Sequence, residues 1–123
     1  MFFFFFLEVH NHLEMNLLSD FPDTEILLWV GCTAALEKRS QNIARSMAAV
    51  LQRAEIDFAI LGLEETCTGD PAKRMGNEYL YQTLASRNIE VLERYGVKRI
   101  LTMCPHCFNT IKNEYPYLGG NYE

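Results

Sequence analysis

Three short apolar runs, spaced about one strand-helix-strand unit apart and each followed by a cysteine, constrain this chain more than any other feature. The runs are Glu25 to Val30, Asp57 to Gly62 and Lys98 to Met103. Their hydrophobicity is near-continuous rather than alternating, as in a strand covered on both faces. Helical period fills the gaps. From Thr33 onward Leu36, Ile43, Met47, Val50 or Leu51, and Ala54 recur at three- and four-residue steps as one stripe. Asp70, an N-cap carboxylate before Pro71, opens a second helix that runs to Tyr95 with Leu80, Leu84, Val91 and Tyr95 on one face, closed by Gly96. A third spans Pro105 to Tyr115 and stops at Pro116, after which Leu118 to Glu123 reads as a turn that leads nowhere. Strand-helix repeated three times predicts an α/β fold, a parallel sheet with right-handed helical crossovers.

Such sheets gather ligands outside the carboxyl ends of their strands. Cys32, Cys67 and Cys104 each follow a different strand there, with 34 and then 36 residues between them, and one strand-helix-strand unit takes roughly 30 residues or more. Cys107, a helical turn beyond Cys104, adds a fourth sulfur, and these four are all the cysteines in the chain. A lone free cysteine is commonly a small buried hydrophobe. Four at one topological position point to metal or cluster ligation. In Cys104-Pro105-His106-Cys107 the strand delivers sulfur to a helix N-terminus, where thiolate is favoured over thiol.

Composition narrows the class. At 123 residues, 49% of them hydrophobic, the chain is one domain able to bury roughly two thirds of its unfolded surface without disulfides. A net charge of -5 and the lack of a Lys/Arg run argue against nucleic acid as a partner. Residues 1–24 show no sustained period and read as an irregular leader. Its start, Met1 to Leu7, is too short to span a bilayer and lacks the basic region of a signal peptide. No other window approaches a transmembrane span. Without an export signal, four cysteines imply metal or redox chemistry in a reducing compartment, hence a cytoplasmic protein or one peripheral at the inner face of the membrane.

Spacing alone leaves the metal open, because tetrathiolate ligation suits zinc and iron-sulfur alike. Zinc ribbons use two close cysteine pairs, and only one pair is close here. One pair plus two isolated cysteines suits the wider spread of a cluster. The tetrapeptide also resembles the active site of thioredoxin-like periplasmic oxidases, but there the dithiol follows the first strand, whereas 16 residues follow Cys107. His106 lies between two ligands and could tune them or simply be exposed. Lys73 and Arg74 fall in the first turn of their helix, where cations are disfavoured, which suggests an anionic neighbour such as a thiolate-ligated cluster. Thr68 stands beside Cys67. Glu64 and Glu65 read as loop charges, and His10 and His12 as solvated residues of the leader.

Gly31-Cys32, then Glu65-Thr66-Cys67-Thr68-Gly69-Asp70-Pro71-Ala72-Lys73-Arg74-Met75-Gly76-Asn77-Glu78-Tyr79-Leu80, then Cys104-Pro105-His106-Cys107-Phe108-Asn109-Thr110 with Asn113-Glu114-Tyr115-Pro116 together resemble the cysteine-rich "CCG" domain. That domain occurs in heterodisulfide reductases, in iron-sulfur components of glycolate and lactate oxidases, and in membrane-associated iron-sulfur oxidoreductases. The Cys-Thr-Gly-Asp-Pro stretch is most similar to the last group, which includes proteins passing electrons from electron-transfer flavoprotein to menaquinone. The resemblance covers about residues 25–123, leaving 1–24 outside. It implies an iron-sulfur electron-transfer domain with Cys32, Cys67, Cys104 and Cys107 as ligands, redox partners that include a flavoprotein and a quinone-reactive membrane part, and little turnover by this chain alone. Where the heterodisulfide reductase pattern has adjacent cysteines before glycine, this chain has Cys67-Thr68-Gly69. A five-cysteine noncubane pair is thereby ruled out, and a four-cysteine 4Fe-4S cubane is the natural substitute. Relatives of this type are longer, so the chain reads as a C-terminal fragment.

Overall fold

The computed structural model describes residues 16–21, 23–31 and 38–123. Cys32, Thr33 and Leu36, and the Phe-rich start with His10 and His12, lie outside the described residues. The sheet is parallel, in the order β2-β1-β3, built from β1 (Ile26–Trp29), β2 (Phe58–Ala59) and β3 (Ile100–Thr102). Helices α1 (Lys38–Arg53), α2 (Asp70–Arg74), α3 (Glu78–Arg94) and α4 (Pro105–Asn109) connect and cover the strands. The parallel α/β architecture expected from the three apolar runs is therefore the one found.

Successive side chains of β1 feed opposite faces, as strand geometry requires. Leu28 and Val30 pack under α1 with Ala44, Ala48, Leu51, Phe58 and Ile60. Leu27 and Trp29 pack the other way, with Tyr81, Ala85 and Leu92 of α3 and with Cys107, Ile111 and Tyr115. Leu17 pairs with Ile60 beside β2, and Leu18 is buried against the second cluster.

Four expectations need correction. The buried stripe of α1 is Ala44, Ala48 and Leu51, whereas Ile43 is 47% and Val50 62% exposed and Ala54 is also exposed. Alanines let the helix sit close on the sheet, so the contact face is rotated by about one residue from the largest side chains. The single helix expected from Asp70 to Tyr95 is two. Gly76, at φ +84°, breaks it, and the Asn77 side chain accepts the Leu80 N–H (3.1 Å) to cap α3. Leu80 is accordingly exposed, and Tyr81, Ala85, Asn88, Ile89 and Leu92 face inward beside Val91. Gly69, not Asp70, is the N-cap of α2, at φ +94°, which frees the Asp70 carboxylate for other partners. The third helix continues past Asn109 as a π turn (Thr110–Glu114) and a 3-10 turn (Tyr115–Leu118), and the tail returns to the sheet. There Glu123 accepts the Ile100 N–H (2.7 Å) and donates to the Lys98 carbonyl (2.8 Å).

Candidate metal centre

Three of the four expected sulfurs are described. Cys104 is the N-cap of α4 with Pro105 at the first helical position, so the strand-to-helix delivery of sulfur is as expected. Cys107, one turn on, is buried, and its thiol lies within hydrogen-bonding reach of Cys104. Cys67 is half-buried in the loop before α2 and accepts the Gly69 N–H at its sulfur (3.4 Å). No disulfide joins these three. Gly31, the residue before Cys32, is buried beside them: a Cβ there would stand 3.9 Å from Cys107 Sγ. Its φ of +91° suits only glycine comfortably.

Burial and the neighbouring Cys104 push the Cys107 thiol well above its ordinary range, against a hydrogen bond to Thr68. Cys107 stands at the third position of the five-residue α4, where desolvation disfavours its charged form. His106 is 80% exposed, with Nδ1 3.7 Å from Asp70 Oδ2. In the five-residue α2, Lys73 and Arg74 occupy the last turn, where cations are favoured. Their described anionic neighbours are carboxylates. Arg74 donates to Asp70 (3.0 Å) and Glu114 (2.9 Å), and Lys73 Nζ lies 4.0 Å from Glu114 and 4.5 Å from the Tyr81 ring centroid.

Several residues that hold the site are not singled out by sequence reasoning. Glu65 is no loop charge: it is 2% exposed, and its two carboxylate oxygens accept the N–H groups of Val30 and Gly31, each at 2.8 Å. One side chain therefore ties the end of β1, on the way to Cys32, to the loop carrying Cys67. Burial raises its pKa to about 7 against the lowering effect of the two N–H donors. Asn88 and Tyr115, both buried, hold the Cys67 loop from the other side. Asp70 accepts the Thr110 hydroxyl (3.2 Å), linking the start of α2 to the segment after α4. The available signal was Asn88, a polar residue on the inward stripe of α3.

These residues suit a thiolate-ligated group. The described donors are soft sulfurs, with a backbone N–H and a threonine hydroxyl directed at them and an uncluttered glycine alongside. Among the described residues no three His, Cys, Asp or Glu side chains meet within reach of a single metal ion. Burial above all pushes the Tyr115 hydroxyl above its ordinary range.

No described helix is long and apolar enough to cross a membrane. Similarity to known proteins is extensive. Over 110 residues the chain is 47% identical to the EtfAB:quinone oxidoreductase of Syntrophomonas wolfei, covering 89% of this chain and 15% of that protein. It is 48% identical over 95 residues to the "Probable iron-sulfur-binding oxidoreductase FadF" of Bacillus subtilis, covering 77% and 14%. It is 35% identical over 99 residues to one component of the dihydromethanophenazine:CoB--CoM heterodisulfide reductase of Methanosarcina barkeri, covering 78% and 24%. The chain thus spans less than a quarter of the length of each of these relatives. No solved structure matches it significantly. The model of the cysteine-rich domain matches residues 26–112, and the resemblance read from the cysteine motifs is therefore borne out: the chain belongs to the CCG cysteine-rich domain family.

Proposed function

We propose that this domain is a one-electron relay in which Cys32, Cys67, Cys104 and Cys107 ligate one 4Fe-4S cluster at the carboxyl rim of the sheet. The observation that carries the reading is the convergence of three chain segments. Glu65 fastens the strand end before Cys32 to the Cys67 loop, and Gly31 stands beside Cys107. Cys32 is the residue that follows Gly31 in the sequence. A bound cluster supplies the one-electron chemistry. The protein's part is to hold four sulfurs, keep water from Cys107 and direct hydrogen bonds at the thiolates. The Gly69 N–H and the Thr68 hydroxyl serve that role; His106, Lys73 and Arg74, whose described anionic partners are the carboxylates of Asp70 and Glu114, would act on the charge around it only from outside those contacts.

Residues 25–123 constitute the cysteine-rich unit and 1–24 precede it. The names of the relatives support a place within a larger iron-sulfur oxidoreductase, between an electron-transfer flavoprotein and a quinone; a quinone-reactive membrane part and work in the cytoplasm or at the inner face of the membrane are part of the same proposal. Protein made and kept without oxygen is expected to be brown and to contain about four irons and four acid-labile sulfides per chain. Cys32→Ser is expected to lose them. A colourless protein with one zinc, or full iron occupancy in Cys32→Ser, contradicts the reading.

A further inference from the structure

The Cys67 loop is held by side chains where a strand or helix would use backbone. Asn88 Nδ2 donates to the Cys67 carbonyl (2.8 Å) and to the Tyr115 hydroxyl (3.2 Å), and Asn88 Oδ1 accepts the Thr66 hydroxyl (2.7 Å). The Tyr115 hydroxyl in turn donates to the Thr68 carbonyl (2.9 Å). Three consecutive residues centred on Cys67 are thus fixed by two side chains, 1% and 0% exposed. Buried polar groups are tolerated only when their partners are in place, so this network has a single low-energy arrangement.

The chain reaches this point by a departure from regular helix. Residues four apart on an α-helix drift by about 40° per step. The π turn Thr110–Glu114, wider than an α turn, lets Cys107, Ile111 and Tyr115 all face the core. One end of this face carries the Cys107 sulfur and the other the hydroxyl that grips the Cys67 loop.

We propose that Tyr115, steered by Asn88, is a positioning residue for Cys67: its hydroxyl fixes the Thr68 carbonyl and so sets where the Cys67 sulfur stands relative to the Cys104–Cys107 turn. Its role in ligation rests on the electron-relay reading, whereas its hold on the loop does not.

The test uses the whole chain in two forms. In reduced, metal-free protein, iodoacetamide alkylation of each thiol is followed by mass spectrometry. The Cys67 rate is expected to rise roughly threefold to tenfold in Tyr115→Phe, the factor that one hydrogen bond of ordinary net strength represents, while Cys104 keeps its wild-type rate. In iron-loaded protein, Tyr115→Phe is expected to change the EPR line shape and shift the midpoint potential at unchanged far-UV circular dichroism. Ala48→Leu, a core change on the opposite face of the sheet, is expected to leave both as in wild type. An unchanged Cys67 rate, or an equal rise at Cys67 and Cys104, overturns the assignment, as does an iron-loaded Tyr115→Phe with wild-type spectrum and potential. If Tyr115→Phe does not fold, Thr66→Val carries the same thiol comparison, with a smaller rise at Cys67 expected and the same contradicting results. Wild-type protein that takes up no iron would sink the relay reading, and the thiol arm would still decide the role of Tyr115.

Discussion

The two faces of the sheet are built on opposite principles. Under α1 the contact is wholly apolar, with Ala44 and Ala48 letting the helix lie close on Leu28, Val30, Phe58 and Ile60. On the other face large aromatics, Trp29, Tyr81 and Tyr115, pack beside Cys107. All five buried polar or charged residues among the described residues lie in the Cys67 loop or in what braces it: Glu65, Thr68 and Asp70, Asn88 of α3, and Thr110 beyond α4. Burying a polar group gains little net stability even when it is bonded, and costs about 1–3 kcal/mol when it is not. A face that concentrates them therefore fixes positions, and the opposite face supplies cohesion.

If so, the faces should respond differently to damage. The largest effect is expected from Asn88→Ala, which strands the Cys67 carbonyl and one Tyr115 bond in the interior. Urea unfolding should show a loss of roughly 3 kcal/mol, with loss of cluster uptake under anaerobic reconstitution. Ala48→Leu overpacks the α1 face and should cost about 1–3 kcal/mol while leaving iron content per folded chain unchanged, which separates cohesion from site.

Glu65 sharpens the contrast through pH. In metal-free protein its carboxyl is raised from 4.5 to about 7 by burial, so the folded state holds its proton more tightly than the unfolded state. Its contribution to stability is fully present below about pH 4.5 and is lost as pH rises through about 7. Relative to Glu65→Gln, the wild-type melting temperature should therefore fall between pH 5 and pH 8. Parallel curves would contradict the buried placement. The smallest effect is expected from Ile43→Ser on the outer side of α1, within about 0.5 kcal/mol in the same unfolding assay.

What could be read from the chain follows this division. Strand-helix alternation and the placement of Cys104 and Cys107 were legible because continuous apolar runs, Pro105 and the cysteine spacing are local signals. The face of α1 was misread because periodicity weights the bulky Ile43 and Val50, while close packing selects Ala44 and Ala48. The break at Gly76 and Asn77 was masked by helical period on both sides of it. Glu65 and Tyr115 stand in the stretches that carry the family resemblance, but the contacts they make were not legible. A glutamate two residues before a cysteine looks like any loop charge until Val30 and Gly31, more than 30 positions away, are seen donating to it. Tyr115 reaches the Cys67 loop only because the helix widens into a π turn.

The most direct test is anomalous scattering at the iron edge from crystals of protein purified and loaded without oxygen. Iron density in contact with the sulfurs of Cys32, Cys67, Cys104 and Cys107 together is the expected result. Iron bound by Cys104 and Cys107 alone, with the Cys67 sulfur turned away from it, would contradict the account.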